Sequence, residues 1–308
     1  MFVVVEFKRA VSDKKTAYAQ IIDYTRNLFA NQPGRRFAWA LCVCGTEVRA
    51  CLLHHSGLVE STAMDLSGPK GRRDLVSLLV YWSFCDVSQL GYDPTVRISP
   101  GSRVGEIDCF DGDDMGGPVR KQTYDIVDII SAATSTFGRH TRCFLANPQN
   151  DKDTLVVIKG SWSLEVNKEG DTFSRFNELK NLQSIDEKLK DSGKDIMYSK
   201  AVMAGSVRIT CGGKESVDNT KNIFGPAIAR ILKSSSTHNR IVLDKYGEHL
   251  KTVRDENELV VVLADAMNSH NTILEKCGIL HRDISDNNIL AVRGTDLTAG
   301  TGHEIGRE

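Results

Sequence analysis

The chain has no excess of either charge. It carries 39 Lys and Arg against 40 Asp and Glu, a net of -1. That balance argues against a general nucleic-acid binder or an anionic-membrane binder, while leaving room for a local basic patch. No apolar run approaches the roughly 18 residues of a helical membrane span. The opening Met1–Lys8 meets charge at Glu6, too early for a signal peptide. An intracellular location, cytoplasm or nucleus, is the expectation. None of the eight cysteines forms a CxxC pair, and no Cys/His spacing matches a zinc site. Reduced, buried thiols are expected. Cys42 and Cys44, with one residue between them in an apolar run, are expected to face opposite sides of a strand. Internal repeats and low-complexity tracts are absent.

With 308 residues and 41% hydrophobic content, the chain can bury the cores of two domains. Val3 to Phe7 reads as a strand. Lys14 to Asn31 has helical spacing, with Tyr18, Ile21, Ile22, Thr25, Leu28 and Phe29 on one face. Phe37–Cys44 and Glu47–His54 read as a hairpin turning at Gly45-Thr46. Arg73 to Phe84 reads as a helix with Leu75, Leu78, Leu79 and Trp82 inward. Residues 99–121, rich in Gly, Asp and Pro, are expected to form a linker or long loop. A strand-rich section follows, and then helices.

The most informative segment is Gly278-Ile279-Leu280-His281-Arg282-Asp283-Ile284-Ser285-Asp286-Asn287-Asn288-Ile289-Leu290. It matches the H-R-D-x-x-x-x-N pattern of a kinase catalytic loop. In that chemistry an Asp orients the acceptor hydroxyl and receives its proton, and the later Asn ligates the metal that bridges the phosphates. Asp283 and Asn288 are those residues here. Upstream, Asp255 to Cys277 reads as a helix with Leu259, Leu263, Ala266, Met267, His270, Ile273 and Leu274 on its apolar face. Asp255 and Glu258 suit a cap. Leu155-Val156-Val157-Ile158-Lys159 is a strand ending in a lysine, placed to hold a fixed cation against phosphates. Thr172 to Lys190 has helical spacing, and on it Glu178 is the leading partner for Lys159, with Glu169 and Glu187 as rivals. Phe137-Gly138-Arg139-His140-Thr141-Arg142-Cys143-Phe144 is the candidate phosphate-covering loop. It has one glycine rather than three, with His140 where a second might stand. Gly138 and Thr141 are its candidate nucleotide-binding residues. Arg240 to Gly247 reads as a strand leading into a hinge.

These segments, with Val4–Lys8, Gln32–Phe37, Gly91–Val96 and Val157–Trp162, resemble the fungal-type protein kinases. The resemblance implies an α+β protein. Residues 1–125 would form an N-terminal α/β domain. Residues 126–308 would form a protein-kinase-like domain, with a five-stranded N-lobe at 126–247 and a partial C-lobe at 248–308. It implies ATP and Mg2+ as cofactors, and phosphoryl transfer to Ser or Thr hydroxyls of a protein substrate that the sequence does not identify. Lys159 and Glu178 would anchor the phosphates, Asp283 would act as base and Asn288 as metal ligand. The pattern departs from the family's at its end. No D-F-G is present, and Asp296, in Asp296-Leu297-Thr298-Ala299-Gly300, is the nearest candidate for the second metal-binding aspartate. The expectation is a C-terminally truncated domain that leaves apolar surface of the 255–277 helix uncovered. Two alternatives stand beside it. One is a non-catalytic kinase-like scaffold. The other is a Mg-dependent nuclease-like activity in the N-terminal domain, where Glu6-Phe7-Lys8 resembles the E-x-K of restriction-endonuclease-like folds.

Overall fold

The computed structural model describes residues 3–99, 101–112, 119–132, 135–165, 177–190, 198–211, 214–232, 235–282, 284–286 and 288–292. The chain begins with β1 (Val3–Lys8), α1 (Lys14–Asn31), β2 (Phe37–Cys44), β3 (Glu47–His54), β4 (Gly57–Glu60), β5 (Met64–Asp65) and α2 (Pro69–Phe84). β1 pairs in parallel with β2, and α1 makes the crossover between them. β2 and β3 form the expected hairpin, and β4 and β5 share the far side of β3. α1 covers one face of this sheet, where Ala17 and Ile21 pack with Val4, Ala40, Cys42, Cys51 and Leu53. α2 covers the other, where Trp82 packs with Leu41, Val48, Ala50 and Met64. Burial on both faces explains why β2 is apolar almost without interruption.

Two expectations for this region are corrected. Cys42 and Cys44 share one face, with sulfurs 3.7 Å apart. Side chains alternate along a strand, so positions i and i+2 point the same way. Leu79 is 44% exposed, while Leu75, Leu78 and Trp82 face the sheet. The inward line follows i, i+3 and i+7, and Leu79 lies one residue beyond it. α2 also starts earlier than Arg73, at Pro69, where proline's missing N–H costs no helical hydrogen bond.

The next elements are β6 (Val96–Ile98), β7 (Gly105–Asp111), β8 (Arg120–Ala132), β9 (Arg142–Pro148), β10 (Val156–Glu165), α3 (Asn177–Leu189), β11 (Ala201–Ser206), β12 (Arg208–Cys211), β13 (Lys214–Val217), α4 (Thr220–Ile231) and β14 (Ser235–Leu243). Seven strands form one sheet in the order β11-β14-β10-β9-β8-β7-β6. All seven contribute to a single core, including Ile107, Tyr124, Ile126, Phe144, Ile158, Met203 and Val242, with Val96 packed against it. The sheet is therefore curled around its own inner face. β11 comes back against β7, where Gly112 and Gly205 form a parallel bridge. A Cβ at Gly205 would lie 2.4 Å from the Phe110 carbonyl oxygen, so only glycine permits that approach.

The sheet has seven strands where five were expected: β8, which starts at Arg120, is followed in it by β9, β10, β14 and β11, and β6 and β7 come before it in the chain. The segment 99–121 is not a continuous linker, because β7 lies within it and pairs along its length with β8. Its Asp108 is buried in the strand because Arg97 and Lys121 neutralise it. β8 runs unbroken through positions 125 and 126, and both residues pair with β7 on one side and β9 on the other.

The last elements are β15 (Glu248–His249), α5 (Glu256–Cys277) and β16 (Leu290–Ala291). Asp255 caps α5 by accepting from the Glu258 N–H at 2.8 Å, and Glu258 in turn accepts from the Arg254 N–H. Of its expected apolar face, Met267 is 71% and Leu274 40% exposed, and Val260 and Val261 are exposed as well. Leu259, Leu263, Ala266 and His270 are half-buried, and among the described residues Ile273 and Cys277 pack with Ile185 and Leu189 of α3. Among the described residues, no helix is long and apolar enough to cross a membrane.

Candidate active site

Alternation along β10 sets the first part of the site. Ile158 points into the curled sheet and is fully buried, so Lys159 points out. On that outer face Lys159 Nζ donates to Glu178 Oε1 at 2.6 Å. Glu178 lies in the first turn of α3, where the helix dipole favours a carboxylate. The two side chains are 29% and 42% exposed, so a ligand can reach both. The rival Glu187 is exposed elsewhere on α3, and Glu169 lies outside the described residues.

α3 then ties this pair to the loop after α5. Ile185 and Leu189 pack with Cys277, Ile273 and Ile279. Lys188 Nζ donates to the Cys277 carbonyl at 3.0 Å, and the Tyr198 hydroxyl donates to Asp186 at 2.9 Å. α5 ends at Gly278, whose φ of 71° is a left-handed conformation suited to glycine. The chain turns there into His281 and Arg282, both exposed, with Arg282 at φ 63°. Asn288 is held by two contacts with Ser285: its N–H donates to the Ser285 carbonyl, and its Nδ2 donates to the Ser285 hydroxyl at 3.2 Å. β16 pairs with β15 and so fastens the end of the loop to the segment leaving the sheet. Asp283 and Asp296 lie outside the described residues. A single brace, α3, therefore touches the strand lysine through Glu178 and the root of the His281–Asn288 loop through its last two turns.

A family model described as fungal protein kinase matches residues 1–301. The chain belongs to the fungal protein kinase family. Among curated proteins nothing matches it. The matched span takes in the first sheet as well as the curled one, so both belong to the pattern of this kinase family.

For the nucleotide such a family uses, the described residues supply a partly exposed lysine held at the tip of a carboxylate, which suits phosphate oxygens. Asn288 offers an amide oxygen of the type a divalent ion takes. Among the described residues, no cluster of three or more His, Cys, Asp or Glu is arranged to hold a metal. The loop between β8 and β9 is placed differently from expectation. The Gly138 N–H, expected to cover a phosphate, donates to the His55 carbonyl at 2.9 Å. Thr136 and His140 are buried, and His140 stacks on His55 with centroids 3.9 Å apart. Thr141, which follows them, is half-buried. His140 has φ 46°, so the position read as a missing glycine does have the backbone that glycine favours. At the N-terminus, Glu6 and Lys8 pair with each other at 2.8 Å on one side of β1.

Sequence reasoning missed a buried charged cluster where the first sheet meets the open end of the curled one. Arg36 pairs with Asp218 at 2.7 Å, and Arg240 with Asp93 at 2.6 Å. His238 contacts Asp218 at 3.1 Å and stacks on Trp162. Burial works to raise the Asp218 pKa, but Arg36 and His238 outweigh it and hold the carboxyl at about 2. Burial also pushes His54 and His140 down to about 3, so both imidazoles are neutral near pH 7. A signal for the cluster does exist in the sequence. His238 and Arg240 alternate onto the same face as the buried Val242, on a strand whose first six residues, Ser235 to Arg240, are all polar.

Proposed function

We propose that this chain acts as a protein kinase, transferring the γ-phosphoryl group of ATP to a Ser or Thr hydroxyl of a protein. The observation that carries the reading is the Lys159–Glu178 pair, a strand lysine clamped by a helix carboxylate in a chain of the fungal protein kinase family. Lys159 binds the nucleotide phosphates, and Glu178 fixes its direction. Asp283 orients the acceptor hydroxyl and takes its proton. Asn288, with Asp296 as the second candidate, holds Mg2+, which supplies charge neutralisation at the phosphates. The protein's own contribution is positioning: α3 connects the lysine to the loop that presents the acceptor.

The test is binding of a non-hydrolysable ATP analogue with Mg2+ to the chain and to Lys159→Met. The expected result is binding by the chain and at least a tenfold loss in the variant. Equal binding in both sinks the anchoring role. A phosphotransfer assay with Asp283→Asn then tests the base, with little or no turnover expected. A second reading, a kinase-like scaffold without turnover, draws support from the Gly138 amide, which is taken up by the His55 carbonyl. It predicts analogue binding without phosphotransfer in the unmodified chain.

A further inference from the structure

A small cavity of about 20 Å³ lies inside the charged junction, lined from one side by Arg36 and Asp93 and from the other by His140, Arg142, Gly160 and Arg240. That volume admits one small occupant. The charges around it do not balance. Arg36 is closed by Asp218 and Arg240 by Asp93. Arg142 has no carboxylate partner among the described residues. It donates to the carbonyl oxygens of Phe29, Pro33 and Arg35 and contacts His140 Nε2. Four buried guanidinium groups, those of Arg35, Arg36, Arg142 and Arg240, line the cavity beside Asp93, with Asp218 closing Arg36, so positive charge is in excess there. Burial lowers the Arg142 pKa to about 9, which still leaves it charged at neutral pH.

The hydrogen-bond inventory points the same way. The Nε–H groups of Arg142 and Arg240 are buried and meet no hydrogen-bond partner among the described residues. An arginine nitrogen can only donate, so whatever satisfies the two groups must accept. The Asp93 carboxylate is already engaged by Arg240, by the Thr95 N–H and by the Thr95 hydroxyl. A buried unpaired charge costs far more than a buried dipole, so a negatively charged occupant that accepts from the two Nε–H groups also lowers the charge excess.

We propose that this cavity is a binding site for a small monovalent anion of halide size, held between Arg142 and Arg240. The site joins the two halves of the chain. Arg142, on β9, reaches carbonyls of the first region, and Arg240, on β14, reaches Asp93 and Thr95. Gly160 in the lining follows Lys159 on β10, so the anion sits across that strand from the lysine. The proposal does not rest on the phosphotransfer reading.

The experiment is thermal unfolding of the 308-residue chain in sodium chloride and in sodium gluconate at matched ionic strength. Gluconate is too large for the cavity. The expected result is a chloride-specific rise in Tm, on the order of 2–4 °C once chloride is about tenfold above its dissociation constant. Arg142→Met removes the cation together with the carbonyl contacts that hold the fold there, so the sharper variant is Gly160→Ala. Its Cβ would lie 3.6 Å from His238 Nε2 and 3.9 Å from Arg240 Cγ, ordinary contacts that take up the space without touching a charge. Gly160→Ala is expected to fold and to lose the chloride increment. In crystals grown with bromide, an anomalous peak between the two Nε atoms is expected. Equal Tm in both salts, an undiminished increment in Gly160→Ala, or a water without anomalous signal would each overturn the proposal.

Discussion

The two ends of Lys159's neighbourhood hold ion pairs of similar length and opposite character. On the outer face of β10, Lys159 and Glu178 meet at 2.6 Å, yet both remain reachable by solvent. At the junction, Arg36 and Asp218 meet at 2.7 Å with side chains 3% and 0% exposed. Distance does not separate them; surroundings do. An exposed pair gives little net stability, because water and salt compete for both charges. Its partners can exchange for a ligand at low cost. A buried pair is costly to assemble and costlier to break, since losing one partner strands the other away from water. The first arrangement suits a place where phosphates come and go, and the second suits a permanent seam between two sheets.

The largest test of that contrast is Asp218→Ala. It leaves Arg36 buried without its carboxylate, and the expected loss is on the order of 3–5 kcal/mol in urea unfolding. If the variant stays within 1 kcal/mol or so of the parent, the seam is less dry than its exposure indicates. Acidification comes next. The folded-state pKa values of His54 and His140 lie near 3, below the 6.5 of an ordinary imidazole. Between those values the unfolded chain binds more protons, so stability falls as pH drops from 6.5 toward 3. Each imidazole contributes about 1.4 kcal/mol per pH unit across that window. Unfolding midpoints at a series of pH values should slope accordingly, and a flat profile between pH 6.5 and 5 would contradict neutral burial. The smallest effect belongs to the outer pair. Glu178→Gln should change stability by less than about 1 kcal/mol, while weakening binding of the ATP analogue. A loss of stability as large as that of Asp218→Ala would erase the distinction between the two regions.

Legibility followed the same division. β2, β3 and α1 could be read from the sequence because long apolar runs and a Gly-Thr turn leave few alternatives. Lys159 and Glu178 could be paired because a strand lysine and a helical glutamate recur at a familiar separation. β7 was hidden because its flanks are rich in Gly and Asp, and because Asp108 looks like a surface residue until Arg97 and Lys121 are seen around it. The seam was hidden for a related reason. Arg36, Asp93, Asp218 and Arg240 lie on four different segments, and no periodicity along the chain announces that they meet. Charged residues are read as solvated by default, and only tertiary pairing overrides that reading. Gly138 shows the limit for loops: its lone glycine suggested a phosphate cover, but what its amide meets depends on His55, more than eighty residues earlier.

The contact at Gly112 and Gly205 bears on how this molecule behaves in a crowded solution. An open seven-stranded sheet would present a row of unused amides and carbonyls along β11, a template on which another chain could add a strand. By bringing β11 back against β7, the bare backbone of Gly205 interrupts that template at its bridge with Gly112. Any side chain at position 205 would prise the two strands apart. Its first visible symptom should be sticky, concentration-dependent self-association rather than a lost activity.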